Sequence, residues 1–522
     1  MTSKHTPTFI HELKLNPNKS EQKVLSIRLD VGRQIYNVCL GEALKRLKLM
    51  RQSKLYQRAI KQPINLKKPK GKLIKNKERS SLFKQAREKY LFGEYDLHKY
   101  LSKKYSGTWL TQHIDSLVAQ KLASRAFKAV EEYAYGKHGR PRFRAKRRFS
   151  SVEGKNNLSG LRFLNSKIIW SAKGGSKLSL TPCYDKKDKD GLEAYALSQR
   201  TKYVRLVCKY IKGQPAWYAQ LIQEGTPYIK AKNKINREEI VGLDIGPSTI
   251  AIVGSNKACL QPFAKKTISY HIEIKKLQKK MARSLRAMNL NNFNAEKLKL
   301  TPSGKKIKKQ GTVKPGHKVW HYSKRYQHMR ITLSELQRKM AASRNGEHGE
   351  LVNRILSLGN IVKTEKLSYK SFQKNFGKSV GNRAPGLFME KLRRKAESAG
   401  GQVIEFNTRT TALSQSCQCG AKHKKKLNER WHKCSACGVN AQRDLYSAYL
   451  ARFVKENRLD TSQALESWAG AGALLEQAVS DLNKVAIGKF RLASFGLGQR
   501  QSGLPAKVES MQNNALDVVA HT

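Results

Sequence analysis

The sequence predicts a multidomain α+β protein, and three observations carry that expectation. Apolar residues recur at helical spacing through most of 20–136, after one strand-like stretch at 8–17. Short strand-like segments broken by glycine and proline fill 158–230. Beyond residue 240, acids fall at the ends of predicted elements and flank a double cysteine knuckle. A chain of 522 residues is long enough for about two to four domains with cores of their own.

Lys and Arg total 103 against 38 acids, a formal charge of +65. Solubility needs far less, so the excess points to a polyanionic partner, of which nucleic acid is the commonest. Structural RNA binding alone would give the same charge. The N-terminal stretch has no apolar signal core, and no run approaches about 20 apolar residues, so neither a signal peptide nor a membrane span is expected. Four of the eight cysteines, at 39, 183, 208 and 259, are scattered and read most simply as free buried thiols of an intracellular chain.

The elements follow in order. Ser20 is placed to cap a helix whose Val24, Leu25, Ile27, Leu29, Val31, Ile35 and Tyr36 recur at helical intervals. Residues 60–85 are basic and broken by Pro63, Pro69 and Gly71, as an exposed linker would be. Helix is expected again over 108–136. The basic run 136–150 then gives way to short strands suited to a small barrel or sandwich, a surface for nucleic acid or a plain scaffold. Residues 240–260 read as two strands around a tight turn. From Ile274 to Arg330 there are seventeen Lys or Arg and one acid, Glu296. Two helices with a basic loop between them fit this segment, either solvated or facing nucleic acid. After 461, basic and acidic residues balance at five each; one more helix is expected, followed by a partly disordered remainder.

Three acids stand out. Asp244 ends the apolar run "IVGLD", and Gly242 and Gly246 beside it would admit a substrate backbone. Glu365 ends the strand-like "NIVKTE", and Asp444 opens the helical "LYSAYLARFV". Singly, each has a plain reading: a DxG of the kind actin-like ATPases also carry, a surface glutamate, an N-cap. Together, on a first strand, a later strand and a C-terminal helix, they are what an RNase H-like core needs to hold two divalent metals. Carboxylates suit hard Mg²⁺, and two ions can activate water and steady the leaving oxygen in phosphodiester cleavage.

The cysteine knuckles "CQCG" and "CSACG" are separated by fourteen residues. Cys417, Cys419, Cys434 and Cys437 supply four thiolates for a tetrahedral Zn²⁺ ribbon. The first arm is a tight C-x-C, so His423 or His432 is the reserve ligand if that arm fails. The ribbon would be an insertion between the strand "GQVIEFN" and the helix of Asp444, and would position that acid.

These motifs resemble the transposon-encoded TnpB nucleases and their compact type V CRISPR relatives, the Cas12 effectors. The resemblance is carried by "LDIG" at 243–246, "TEKLS" at 364–368, "SQSCQCG" at 414–420, "CSACG" at 434–438 and "QRDLYSAY" at 442–449. It also rests on "KLNPNKSEQ", "GRQIYNVCL" and "GRPRFRAK", and spans about residues 8–455. It implies a RuvC-like core with an inserted zinc ribbon, preceded by a wedge-like β-barrel with a helical recognition insertion. The implied division is 1–19 for the first wedge strand, 20–136 for the recognition helices and 137–235 for the wedge barrel. The nuclease core then takes 236–410 with a basic hairpin near 272–345, the ribbon 411–440, the helix of the last acid 441–458 and an extension 459–522.

The resemblance implies a Mg²⁺- or Mn²⁺-dependent DNA endonuclease with Asp244, Glu365 and Asp444 as catalytic metal ligands. Its implied partners are a guide RNA and double-stranded target DNA bearing a short flanking motif, in a prokaryotic cytoplasm. An RNA-guided DNA-binding regulator and a DNA transposase are the alternatives. The chain departs from the family pattern at Gln442, where Asp is common, at Tyr446, where Asn is common, and at Ser416, where an outer cysteine often sits.

Overall fold

A computed structural model describes residues 6–486 except 68–72, 176, 231–232, 234–237, 301–303, 305 and 427–428. The chain divides into two compact units, 1–228 and 229–522. The expected disordered remainder after the last helix lies outside the described residues. Among the described residues, no helix is long and apolar enough to cross a membrane.

In the first unit, the strand Thr8–Leu15 pairs antiparallel with Gln214–Glu224, which pairs with Thr201–Ile211. Strands 151–153 and 182–183 complete a five-stranded sheet. A separate three-stranded sheet joins 161–164, 167–170 and 178–180. The helix Lys19–Gln52 starts two residues earlier than a Ser20 cap would place it. Asn18 is the cap: its side chain accepts from Glu21 N at 2.9 Å, and Glu21 answers by accepting from Asn18 N at 2.8 Å. Leu25, Val31, Ile35, Leu40 and Leu47 form its buried stripe, whereas Ile27 faces solvent.

Two further expectations need correction. The stretch 60–85 is not plain linker: a small hairpin pairs 65–67 with 73–75, and a helix begins at Lys77 under an Asn76 cap. The helix expected from 108 starts at Ser116, because Asp115 accepts from the Leu117 and Val118 amides and stops the helix extending backwards. Asp115 also accepts from Trp170 Nε1 at 3.1 Å, and the fully buried Arg28 donates to Trp170 O at 2.8 Å. One tryptophan thus ties the two long helices to the small sheet.

The second unit is built on a five-stranded sheet in the order 258–262, 249–253, 240–245, 361–365, 402–406. The first three strands run antiparallel; the last two join 240–245 in parallel. That is an RNase H-like arrangement, with Ile240–Ile245 in the middle. Central position explains why this strand is apolar: Val241, Leu243 and Ile245 are all buried. Helices Thr267–Ala287 and Lys324–Leu356 form a long hairpin. The segment between them is not a simple loop. Strands 297–300 and 306–309 pair, and Asn289 bonds both ways with His321, donating to its carbonyl and accepting from its amide. After the helix Arg443–Ala451, the chain continues through a short helix 461–466 and a longer one, 468–486.

Candidate functional site

Asp244 lies near the end of the central strand and Glu365 ends its parallel neighbour. Asp444 sits in the first turn of the helix Arg443–Ala451. It is not the N-cap: Gln442 holds that place, its side chain accepting from Leu445 N at 2.8 Å. All three acids line one cleft of about 430 Å³. Burial raises the Asp244 carboxyl well above its ordinary range, and Asp444 and Glu365 push it further. Burial lifts Glu365 to about 7. Crowded, desolvated carboxylates are costly without a cation to share.

The close approach of helix and strand depends on Gly242. A Cβ there would lie 1.9 Å from the carbonyl oxygen of Ala448. Gly242 therefore makes room for the helix that carries Asp444, not for a substrate backbone. Arg452, past the helix end, donates to Ile240 O at 3.2 Å. From the next strand, the buried Lys363 donates to Arg452 O at 3.0 Å and Val454 O at 2.8 Å, meeting carbonyls where the helix dipole is negative. Gly242→Ala should consequently displace the helix that carries Asp444 and lower the thermal midpoint, by an overpacking cost of about 1–3 kcal/mol or more. Unchanged melting would show that the helix does not need this contact.

Sequence reasoning missed the arginines at the cleft. Arg443 Nη2 stands 3.2 Å from Asp444 and Arg430 Nη1 stands 3.8 Å from it. Arg443 Nη1 also donates to Glu429 O at 2.8 Å. Lys425 lines the same cleft. Burial, with Arg443 nearby, brings its ammonium down to about 8. Phe372 and Phe376, from the helix Tyr369–Arg383, form part of the wall. Their F-x-x-x-F spacing was the available signal; Arg430 had none, lying beside a run already rich in basic residues, and Arg443 is a lone arginine next to the acid.

The four cysteine sulfurs lie within 4.8 Å of one another. Cys417 and Cys437 are 3.4 Å apart, Cys419 and Cys434 3.7 Å. Tetrahedral zinc with bonds of about 2.3 Å spaces sulfurs about 3.8 Å apart, so the donor set fits a metal ion. The tight first arm is accommodated by Gly420 at φ +87°, and the second by Gly438 at φ +73°. His423 Nε2 is 3.2 Å from Cys434 Sγ, at the edge of the cluster. His432 is turned away: its Nδ1 meets Lys425 and its ring lies 4.4 Å from that of Tyr446.

Tyr446 explains one departure from the family pattern. Its hydroxyl lies 3.3 Å from Cys417 Sγ and accepts from Gln418 N at 3.0 Å, so this residue serves the cysteine cluster. Ser416, where an outer cysteine often sits, donates to Thr411 O at 2.9 Å and takes no part in the cluster. The paired strands 431–433 and 440–442 then run directly into the helix of Asp444.

Residues 386–450 match the family model described as Cas12f1-like, TNB domain. The resemblance to the TnpB and Cas12 effectors holds. The span matched to the Cas12f1-like model holds the whole cysteine cluster and Asp444. Among solved structures, a Cas12f1–sgRNA–target DNA complex is similar with a TM-score of 0.44 and 14% identity, covering 85% of this chain and 98% of that one. A CRISPR-Cas12f ternary complex aligns at TM-score 0.27 and 14% identity, over 82% and 81%. The mini-RNA-guided endonuclease CRISPR-Cas_phi3 aligns at TM-score 0.35 and 12% identity, over 90% and 93%. No curated protein matches the chain.

Proposed function

We propose that the protein is an RNA-guided DNA endonuclease that hydrolyses phosphodiesters at a RuvC-like site. The observation that carries this reading is the meeting of Asp244, Glu365 and Asp444 on one cleft of an RNase H-like sheet. The three carboxylates would hold Mg²⁺ or Mn²⁺ through oxygen. Such ions supply, when bound, a polarised phosphoryl oxygen and an acidified water. Arg430 and Arg443 flank Asp444 and offer guanidinium N–H groups to a phosphate entering the cleft. Phe372 and Phe376 present aromatic faces beside it.

The net charge of +65 fits a protein that works on a polyanion, and the Cas12f1-like match supports guidance by RNA. Base pairing would supply target choice, while the protein reads a short flanking motif. A zinc ion in the four-cysteine cluster would keep the hairpin folded against the nuclease helix.

The test supplies RNA from the native locus and a target flanked by a randomised library. Cutting with Mg²⁺ next to a defined motif is the expected result. Guided binding without cutting in either Mg²⁺ or Mn²⁺ would leave a DNA-binding regulator. RNA-independent strand joining would indicate a transposase.

A further inference from the structure

We propose that a second cavity, between the cysteine hairpin and the helix Trp468–Ala486, is a pocket for one unstacked nucleobase of a single strand. The proposal deepens the nuclease reading and rests on it. The cavity holds about 380 Å³ and is walled by Trp431, Gln442, Trp468, Leu475 and Glu476. That is ample for one flat heterocycle.

Trp468 is held rigidly. Tyr446 meets it edge-on at 5.5 Å and Tyr449 at 5.4 Å. A fixed, half-buried indole is a stacking platform with little ordering cost. Two hydrogen-bond donors at this cavity are left over. Gln442 is 2% exposed, and its Oε1 is committed to Leu445 N, yet its Nε2 has no partner among the described residues. Trp431 Nε1 is likewise buried without a partner among the described residues. Unmet buried donors are costly, and every base edge offers carbonyl or ring-nitrogen acceptors. The lining includes one acid, Glu476, and no lysine or arginine, so a phosphate is disfavoured there and a neutral ring is suited.

Position argues for nucleic acid over any other flat ligand. Trp431 and Gln442 are register partners across the hairpin. Their immediate neighbours, Arg430 and Arg443, line the catalytic cleft, and Arg443 N donates to Arg430 O at 2.8 Å. One end of one hairpin therefore presents arginines to the cleft and an aromatic–amide wall to this cavity. A strand passing that end would set its phosphates beside the arginines and one base in the pocket, fixing the register of the strand relative to Asp444.

The test uses the complete protein, without divalent metal, and a single-stranded oligonucleotide carrying one abasic site moved along its length. Binding is read by tryptophan quenching. One position is expected where the abasic site weakens binding about tenfold, the order of one stacked base. Gly472→Leu should fill the cavity, since a Cβ there meets Trp468 at an ordinary 3.6 Å and the rest of the side chain extends from the cavity wall. It should weaken binding similarly and erase the abasic effect, with thermal unfolding as the folding control. Trp431→Phe, which keeps the ring and removes the donor, should weaken binding several-fold. Uniform tolerance of abasic sites by the wild type, or unaltered affinity in folded Gly472→Leu, would overturn the pocket. Because no cutting is measured, abasic sensitivity in a protein that never cleaves would sink the nuclease reading and leave the pocket standing.

Discussion

Asp244→Asn should bind guided target DNA as the wild type does and cut it at least about a thousandfold more slowly. Loss of one shared carboxylate removes several kcal/mol of transition-state charge stabilisation, and about 4 kcal/mol already accounts for that factor. The choice of Asp244 follows from its neighbours: burial, then Asp444, then Glu365, all disfavour its charge. The same crowding predicts a pH effect in metal-free protein. A carboxyl raised in the native state holds its proton to higher pH than in the unfolded chain. For Glu365 the window runs from the ordinary 4.5 to about 7. Native protein binds more protons across that window, so stability falls as pH rises through it. Mg²⁺ should restore the melting temperature at pH 8. Asp244→Asn should raise the metal-free melting temperature and shrink the response to Mg²⁺. Wild-type cutting by the variant, or an undiminished Mg²⁺ response, would remove Asp244 from the site.

The acids were legible in the sequence because strand ends are written locally. An apolar run stopping at a charge, as "IVGLD" and "NIVKTE" do, needs no knowledge of what lies across the sheet. What holds the acids together was not legible. The approach of Ala448 to Gly242 and the bond from Arg452 to Ile240 O link positions about two hundred residues apart. A glycine before an acid reads equally as room for substrate and room for a helix. Gln442 and Tyr446 looked like losses from a catalytic motif, and their side chains prove to have other work. Gln442 caps the helix, and Tyr446 reaches the cysteine cluster. The helix start at Ser116 was misplaced for a related reason: Thr108 and Asp115 are both acceptable caps in isolation, and the bond from Trp170 to Asp115 is a tertiary one.

Cys434→Ser should weaken the hold on the ribbon metal and lower target cleavage by about a hundredfold or more, while binding of the guide RNA persists. Cys434 Sγ lies 3.7 Å from Cys419 Sγ and 3.2 Å from His423 Nε2, so its loss opens the cluster on the side where no spare thiol stands among the described residues. The damage reaches the nuclease site by a short path. Cys417 touches Tyr446, which sits two residues beyond Asp444 on the same helix. The hairpin also delivers Arg430 and Arg443 to Asp444. A ribbon without metal would loosen all three, whereas the positive excess is spread over the chain before residue 461. Metal analysis should give one zinc per wild-type chain and markedly less in the variant, where His423 is the one group close enough among the described residues to replace the lost thiolate. The double change Cys417→Ser with Cys419→Ser should abolish binding, since only His423 stands close enough to substitute and one histidine cannot replace two thiolates. Stoichiometric zinc in that double variant would move the site to the histidines. Full cleavage by zinc-free Cys434→Ser would mean that the ribbon neither orders the helix nor places its aspartate.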